Sequence, residues 1–308
     1  MITQSGSFRL FRTAGIEVFL HWSWFIVAVF EINNRRESYS SLAWNVAEYV
    51  ALFVIVLLHE FGHALACRQV GGQADRIILW PLGGVAFVAP PQRPGATLWA
   101  IAAGPLVNLI LIPAALLAAA VSQWMGWGDA FPDAQHFLWA MVLINLGLLI
   151  FNLLPVYPLD GGQILRCLLW FPLGRTRSLI VATVIGFAGA GGLLVTAFFM
   201  HSLWTGVLAF FILMTCRRGW RQAEAMSAME AMPRHRGFAC PACGIAPPIG
   251  AFWTCHCGTK LDTFATGAVC PACQARFETT ACVQCGSAHT MSQWRQPLPS
   301  AGDAGEAR

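Results

Sequence analysis

The chain has 308 residues, 56% hydrophobic and 11% charged, with a formal net charge of +4. Soluble domains carry about 25% charge, so the composition excludes an ordinary water-soluble enzyme and places most of the chain in lipid. The positive charge is almost all arginine, with Lys260 the one lysine; that is too sparse for the basic patch of a nucleic-acid binder, and nucleic acid is not an expected partner.

The shortage of charge is uneven. Residues 1–219 read as a membrane domain, 220–237 as a linker, 238–290 as a small cysteine-rich domain and 291–308 as a disordered tail. The first ten residues are polar and no small-residue cleavage site follows, so no cleavable leader is expected. Apolar runs over 16–32, 42–66, 96–121, 136–157, 178–200 and 202–216 predict an α-helical polytopic membrane protein of about six transmembrane helices. Between the second and third runs, residues 76–90 are apolar but broken by Pro81, Gly83 and Gly84. This predicts a β-hairpin or re-entrant loop embedded at membrane depth, where it must be buried in protein or line a wet cavity.

Arginines set the orientation. Arg9 and Arg12, then Arg68, Arg76 and Arg93, then Arg166, Arg175 and Arg177, then Arg217, Arg218 and Arg221 fall on alternate connections, with Arg35 and Arg36 dissenting. The expectation is both termini in the cytoplasm, in a bacterial cytoplasmic membrane.

The second run ends in LLHEFGHALACR. On a helix, His59 and His63 lie one turn apart on one face and can grip one Zn²⁺, while Glu60 beside them can take a proton from water. Ionisable groups are costly in an apolar helix and are usually functional there. A catalytic zinc needs a third protein ligand. The best candidate is Asp160 in FNLLPVYPLDGGQILR, where Pro155 and Pro158 interrupt the helix and Gly161-Gly162 lets the backbone approach closely, although Asp before Gly-Gly is also a common turn residue. Asn108 and Asn152 lie in apolar helices, where asparagine commonly bonds one helix to another.

On these residues the chain resembles the site-2 protease family of intramembrane zinc metalloproteases, in particular its compact bacterial branch containing the sporulation factor protease. His59-Glu60-Phe61-Gly62-His63 matches the zinc helix. Asn152 through Gly162, with Leu159-Asp160-Gly161, matches the second motif. Residues 79–86 (LWPLGGVA) are similar to the embedded hairpin, 103–108 (AGPLVN) to the Gly-Pro-x-x-Asn segment, and GIEVFLHWSW to the N-terminal segment. The resemblance covers about 8–217. It implies Asp160 as third zinc ligand, Glu60 as general base, and a role for Asn108 or Asn152 in binding substrate backbone or supporting the transition state. It also implies cleavage of transmembrane segments of other proteins.

Eight of the 11 cysteines fall in four pairs: Cys240/Cys243, Cys255/Cys257, Cys270/Cys273 and Cys282/Cys285. Paired thiolates at this spacing predict two Cys₄ zinc sites, and the segment resembles a double zinc ribbon. Sequential pairing, first pair with second and third with fourth, is simplest. Cross-braced pairing is the alternative, and the short Cys255-x-Cys257 spacing leaves room for His256 as a substitute ligand. The expected complement is one catalytic and two structural zincs. A closed Cys₄ site binds partners rather than catalysing, so a cytoplasmic protein is the expected partner of this domain. Two further functions compete with proteolysis: an inactive membrane scaffold acting through its ribbons, and a metal transporter. Glu60 discriminates, because only hydrolysis requires a base between the two ligands.

Overall fold

The computed structural model describes residues 6–80 and 83–295. Residues 296–308, most of the expected tail, and Pro81 and Leu82, within the expected hairpin, lie outside the described residues. The chain divides into two compact units after Ala223.

The first unit begins with two antiparallel strands, β1 (Ser7–Thr13) and β2 (Ile16–His21), followed by α1 (Ser23–Asn34) and α2 (Leu42–Gln69). The expected hairpin follows as β3 (Gln73–Trp80) and β4 (Gly83–Ala89). It is half of a larger element, because β3 pairs in parallel with β2 to give a four-stranded sheet ordered β1-β2-β3-β4. The sheet is continuous with the core through Ile16, Val18, Ile77 and Leu79, which pack with Val56, Ala64 and Cys67 of α2. Then come α3 (Pro94–Trp124), a single turn α4 (Trp127–Ala130), α5 (Pro132–Leu153), α6 (Asp160–Phe199) and α7 (Leu203–Ala231). Proline opens both α3 and α5, where its missing N–H costs nothing. Pro155 follows the end of α5 and keeps it separate from α6. The backbone leaves helical geometry at Gly174, which kinks α6.

Among the described residues four helices, α2, α3, α5 and α6, are long and apolar enough to cross a membrane. Of the six expected transmembrane helices these four are matched, and the two end runs take other forms. Residues 16–32 form a strand and a 12-residue helix in series. The helix alone covers about 18 Å, short of a hydrocarbon core of about 30 Å. The pair nevertheless runs the length of α2: Arg68 donates to the carbonyls of Ala14 and Gly15 at one end, and Arg35 reaches Glu48 at the other. The last run, 202–216, continues as α7 into Arg217, Arg218 and Arg221. It lies antiparallel to α6, with Gly186 against Cys216 and Gly219 against Thr183.

The second unit is small and aromatic at its centre. Two short hairpins, β5 (Trp253–Thr254) with β6 (Lys260–Leu261) and β7 (Thr280–Ala281) with β8 (Ala288–His289), precede one turn, α8 (Met291–Trp294). Phe238, Trp253 and Phe264 surround Trp294, which is fully buried and donates to the Thr280 carbonyl. Two sequence boundaries are therefore corrected. Residues 220–231 continue α7 rather than forming a linker, and 291–295 belong to the folded unit rather than the tail. Thr290 starts α8 with a capping box to Gln293, and that turn carries Trp294 into the core.

Candidate active site and metal centres

His59, Glu60 and His63 lie in the second half of α2, each under 9% exposed. One helical turn sets the two imidazoles edge to face, 4.7 Å between ring centres, with their Nε2 atoms 3.1 Å apart. Asp160 opens α6 immediately after the Pro155–Leu159 break. Its Oδ2 lies 3.1 Å from His59 Nε2 and 3.4 Å from His63 Nε2. The three expected ligands, far apart in sequence, thus meet in one group that could hold a metal ion. Donors about 2.0–2.1 Å from a tetrahedral metal are about 3.3 Å from one another, which these separations match. Asp160 Oδ2 is buried without a hydrogen-bond partner, as a ligand atom would be.

The atoms behind the ligands set their tautomers. His59 Nδ1 is 2.6 Å from Asn108 Oδ1, and His63 Nδ1 is 2.9 Å from the Ala100 carbonyl. Both contacts require a proton on Nδ1, so both Nε2 lone pairs face Asp160. Asn108, fully buried, donates its amide to Asn145 Oδ1, and Asn145 donates to the Met141 carbonyl. Asn108 is therefore engaged behind His59 on both sides of its amide. Asn152, in the last turn of α5, makes no side-chain hydrogen bond among the described residues and is not joined to the three ligands. Asn145 and Ala100 were not foreseen. Asn145 carried the same signal as Asn108, an amide in an apolar helix; a backbone carbonyl carries none.

Glu60 points the other way, towards the sheet, where its Oε2 accepts the Ala86 N–H of β4 at 2.9 Å. Space at the site depends on two glycines. A Cβ at Gly104 would come within 2.2 Å of His63 Nε2, and one at Gly84 within 2.2 Å of Glu60 Cγ.

In the second unit the eight cysteines form two groups, and the pairing corrects the sequential expectation. The outermost pairs meet, Cys240 and Cys243 with Cys282 and Cys285, and the inner pairs meet, Cys255 and Cys257 with Cys270 and Cys273. The arrangement is nested, neither sequential nor cross-braced. The nearest sulfurs are 3.5–3.8 Å apart. That is the edge of a tetrahedron with metal–sulfur bonds of about 2.3 Å and far outside disulfide length. The second Cys₄ group is complete without His256, whose Nδ1 lies 3.5 Å from Cys255 Sγ. Burial raises the Cys240 thiol, but the Ser287 hydroxyl and the N–H groups of Cys243 and Ala242 outweigh it and bring it down to about 6. The Thr259 hydroxyl and N–H do the same for Cys257, also to about 6. Nearby donors thus favour thiolate at Cys240 and Cys257, one cysteine of each centre.

The chain matches peptidase family M50 over residues 47–134 and 129–196, the stretch carrying His59, Glu60, His63 and Asp160. It is 36% identical to a zinc metalloprotease of Methanocaldococcus jannaschii over 180 residues, 58% of this chain and 50% of that protein. It is 30% identical to the stage IV sporulation protein FB of Bacillus subtilis over 200 residues, 64% of this chain and 66% of that one. The chain spans between half and two thirds of the length of these curated relatives. Its fold is similar to the solved site-2 protease from Methanocaldococcus jannaschii, with a TM-score of 0.52 and 29% identity over 69% of this chain and 94% of that one. On this family match and this likeness of fold, the chain belongs, through its helical unit, to peptidase family M50, the site-2 protease family.

Proposed function

We propose that the chain is an intramembrane zinc endopeptidase that hydrolyses peptide bonds in or near the transmembrane segments of other membrane proteins. The observation that carries the reading is the convergence of His59 Nε2, His63 Nε2 and Asp160 Oδ2 within 3.4 Å of one another, with Glu60 between the two histidines. These three residues would hold the zinc. Bound there, it would act as a Lewis acid towards water and the scissile carbonyl.

The remaining steps belong to side chains. The Ala86 N–H fixes one oxygen of Glu60 and leaves Oε1 to take the proton of the attacking water and return it to the departing amine. Asn108 holds His59 in register, and Asn152 remains the candidate for substrate backbone or transition-state contact. Because Ala86 turns its N–H away from β3 towards Glu60, the outer edge of β4 lies along the site. An extended substrate could add to that edge as a further strand, which requires its helix to unwind first. The arginine distribution supports a site towards the cytoplasmic face with both termini in the cytoplasm. The two Cys₄ groups would hold structural zinc in a unit that binds a cytoplasmic protein.

The test is Glu60→Gln in purified full-length protein, read by substrate cleavage and elemental analysis. Cleavage should fall by about 10²–10⁴-fold, the range of general base catalysis, with metal content unchanged. Retained wild-type cleavage would reject the reading.

A further inference from the structure

A second polar site lies in the membrane unit, at the end of α2 remote from the metal ligands. Glu48 precedes Glu60 by twelve residues on one helix, about 18 Å along its axis. Although in a long apolar helix, Glu48 is only 6% exposed. Its Oε1 pairs with Arg35, and its Oε2 accepts the Tyr39 hydroxyl at 2.5 Å. Arg35 also lies 3.6 Å from Glu31. Beside this network is a cleft of about 70 Å³ between the end of α1, the start of α2 and Ile144 of α5. That is room for a small polar head and a water.

The chemistry of the lining is one-sided. Glu31 and Glu48 bring two negative charges and Arg35 one positive, so the cleft keeps a net charge of −1. The Tyr39 and Tyr49 hydroxyls spend their protons elsewhere, on Glu48 and on the Trp24 carbonyl. Asn45, 4% exposed and on the cleft wall, donates its amide to the Arg35 carbonyl. That leaves its Oδ1 buried without a partner. A buried acceptor without a donor is costly. The cleft therefore lacks a positive charge and a hydrogen-bond donor, while Ile32 and Leu52 line it for a short alkyl stem. A primary ammonium on such a stem supplies all three.

We infer that this cleft is a recognition subsite for a lysine carried on the flank of a substrate's transmembrane segment, at the membrane face remote from the cut. The inference rests on the proposed proteolytic function for the identity of the guest. A lysine stem of four methylenes reaches from the interface into such a cleft while its backbone stays in the headgroup region. Gripping the far flank would fix how deep the substrate sits, and so which bond reaches His59, His63 and Asp160.

The test uses the full chain carrying Glu60→Gln, so that binding is read without cleavage. Labelled single-span peptides with Lys, Ala or Glu at the remote flank are titrated in phosphatidylcholine liposomes by energy transfer. The Lys peptide should bind about tenfold tighter than the Ala peptide, and the Glu peptide weakest. Glu31→Gln, at a solvent-accessible position with little risk to folding, should cut the preference about threefold, and Glu31→Lys should invert it in favour of the Glu peptide. Equal affinities for the three peptides, or a preference untouched by Glu31→Lys, would overturn the inference. Phosphatidylethanolamine also carries a primary ammonium. Persistence of the preference in liposomes containing it keeps the subsite with the substrate, and disappearance assigns the cleft to the lipid and overturns it. A lysine preference in binding together with no cleavage by the wild-type chain would reject the proteolytic reading and leave the subsite standing.

Discussion

The two units gather metal-binding side chains in opposite ways. In the helical unit three donors of mixed type meet deep in the fold, each on a long helix, and the two histidines are backed by fixed partners, Asn108 and the Ala100 carbonyl. In the cysteine-rich unit four sulfurs close each group on short turns, with Cys257 and Cys273 exposed. Three donors leave a tetrahedral metal one open position, whereas four thiolates leave none. Only the first arrangement has a further carboxylate, Glu60, on the residue next to a candidate ligand. On the proposed function, chemistry and fold support would be divided between the units. In the second unit, metal would supply folding free energy that a core built around one tryptophan cannot.

This contrast can be broken most directly by counting metal. Serine at Cys240, Cys243, Cys282 and Cys285 together should remove one metal ion from the second unit and leave the inner Cys₄ group loaded. Sequential pairing would lose both, so elemental analysis of the full chain separates the arrangements. His63→Ala should remove the catalytic ion and leave both thiolate-bound ions, which a thiol-reactive chelator would still release.

Support behind the ligands can be compared next. Asn108→Ala should weaken metal affinity at the histidine site by about 10–100-fold, the usual range for a residue orienting a ligand. Asn152→Ala should leave metal affinity unchanged, because Asn152 does not reach the ligands. Competition with a chelator of known affinity measures both. Gly104→Ala should act like Asn108→Ala, since the added methyl would overlap the His63 ring.

The smallest effect concerns stability of the second unit alone. Asp262 accepts the Gly250, Phe264 and Ala265 N–H groups and pairs with His235 at 2.8 Å. Burial raises its carboxyl, but the Gly250 N–H, the His235 ring and the Ala265 N–H outweigh it and hold it below the ordinary aspartate value. A depressed carboxylate contributes stability that is present above the unfolded value, about 3.9, and lost as pH falls through the folded one. Asp262→Asn should therefore cost about 1–3 kcal/mol at neutral pH, with the difference from wild type shrinking below about pH 4. Thermal melts of the full chain followed by tryptophan fluorescence would read it.

Local chemistry made much of the site legible in advance. His59 and His63 needed only the 3.6-residue turn, and Glu60 only its place between them. The cysteines announced themselves by spacing, because a short turn that presents two sulfurs is a local object. Composition alone also distinguished the apolar helical unit from the cysteine-rich one. Asp160 was legible as a candidate from the Pro155–Gly162 break and became specific through the family resemblance.

What sequence alone could not decide depends on which distant segments touch. The nested sulfur pairing is one such outcome, since a turn holding two thiols is equally able to meet any of the other three. The first apolar run is another: residues 16–32 are mostly apolar, and hydropathy does not distinguish a helix from a strand followed by a helix. Parallel pairing with β3, more than fifty residues away, pulled Ile16–His21 into the sheet, because an exposed edge in lipid would leave its N–H and C=O groups without partners. The same holds for Trp294, which reads as part of a disordered tail until α8 turns it into the core. It holds too for Asn145 and the Ala100 carbonyl, which acquire their roles only when α3 and α5 pack against α2 and bring hydrogen-bond geometry to bear on the two histidines.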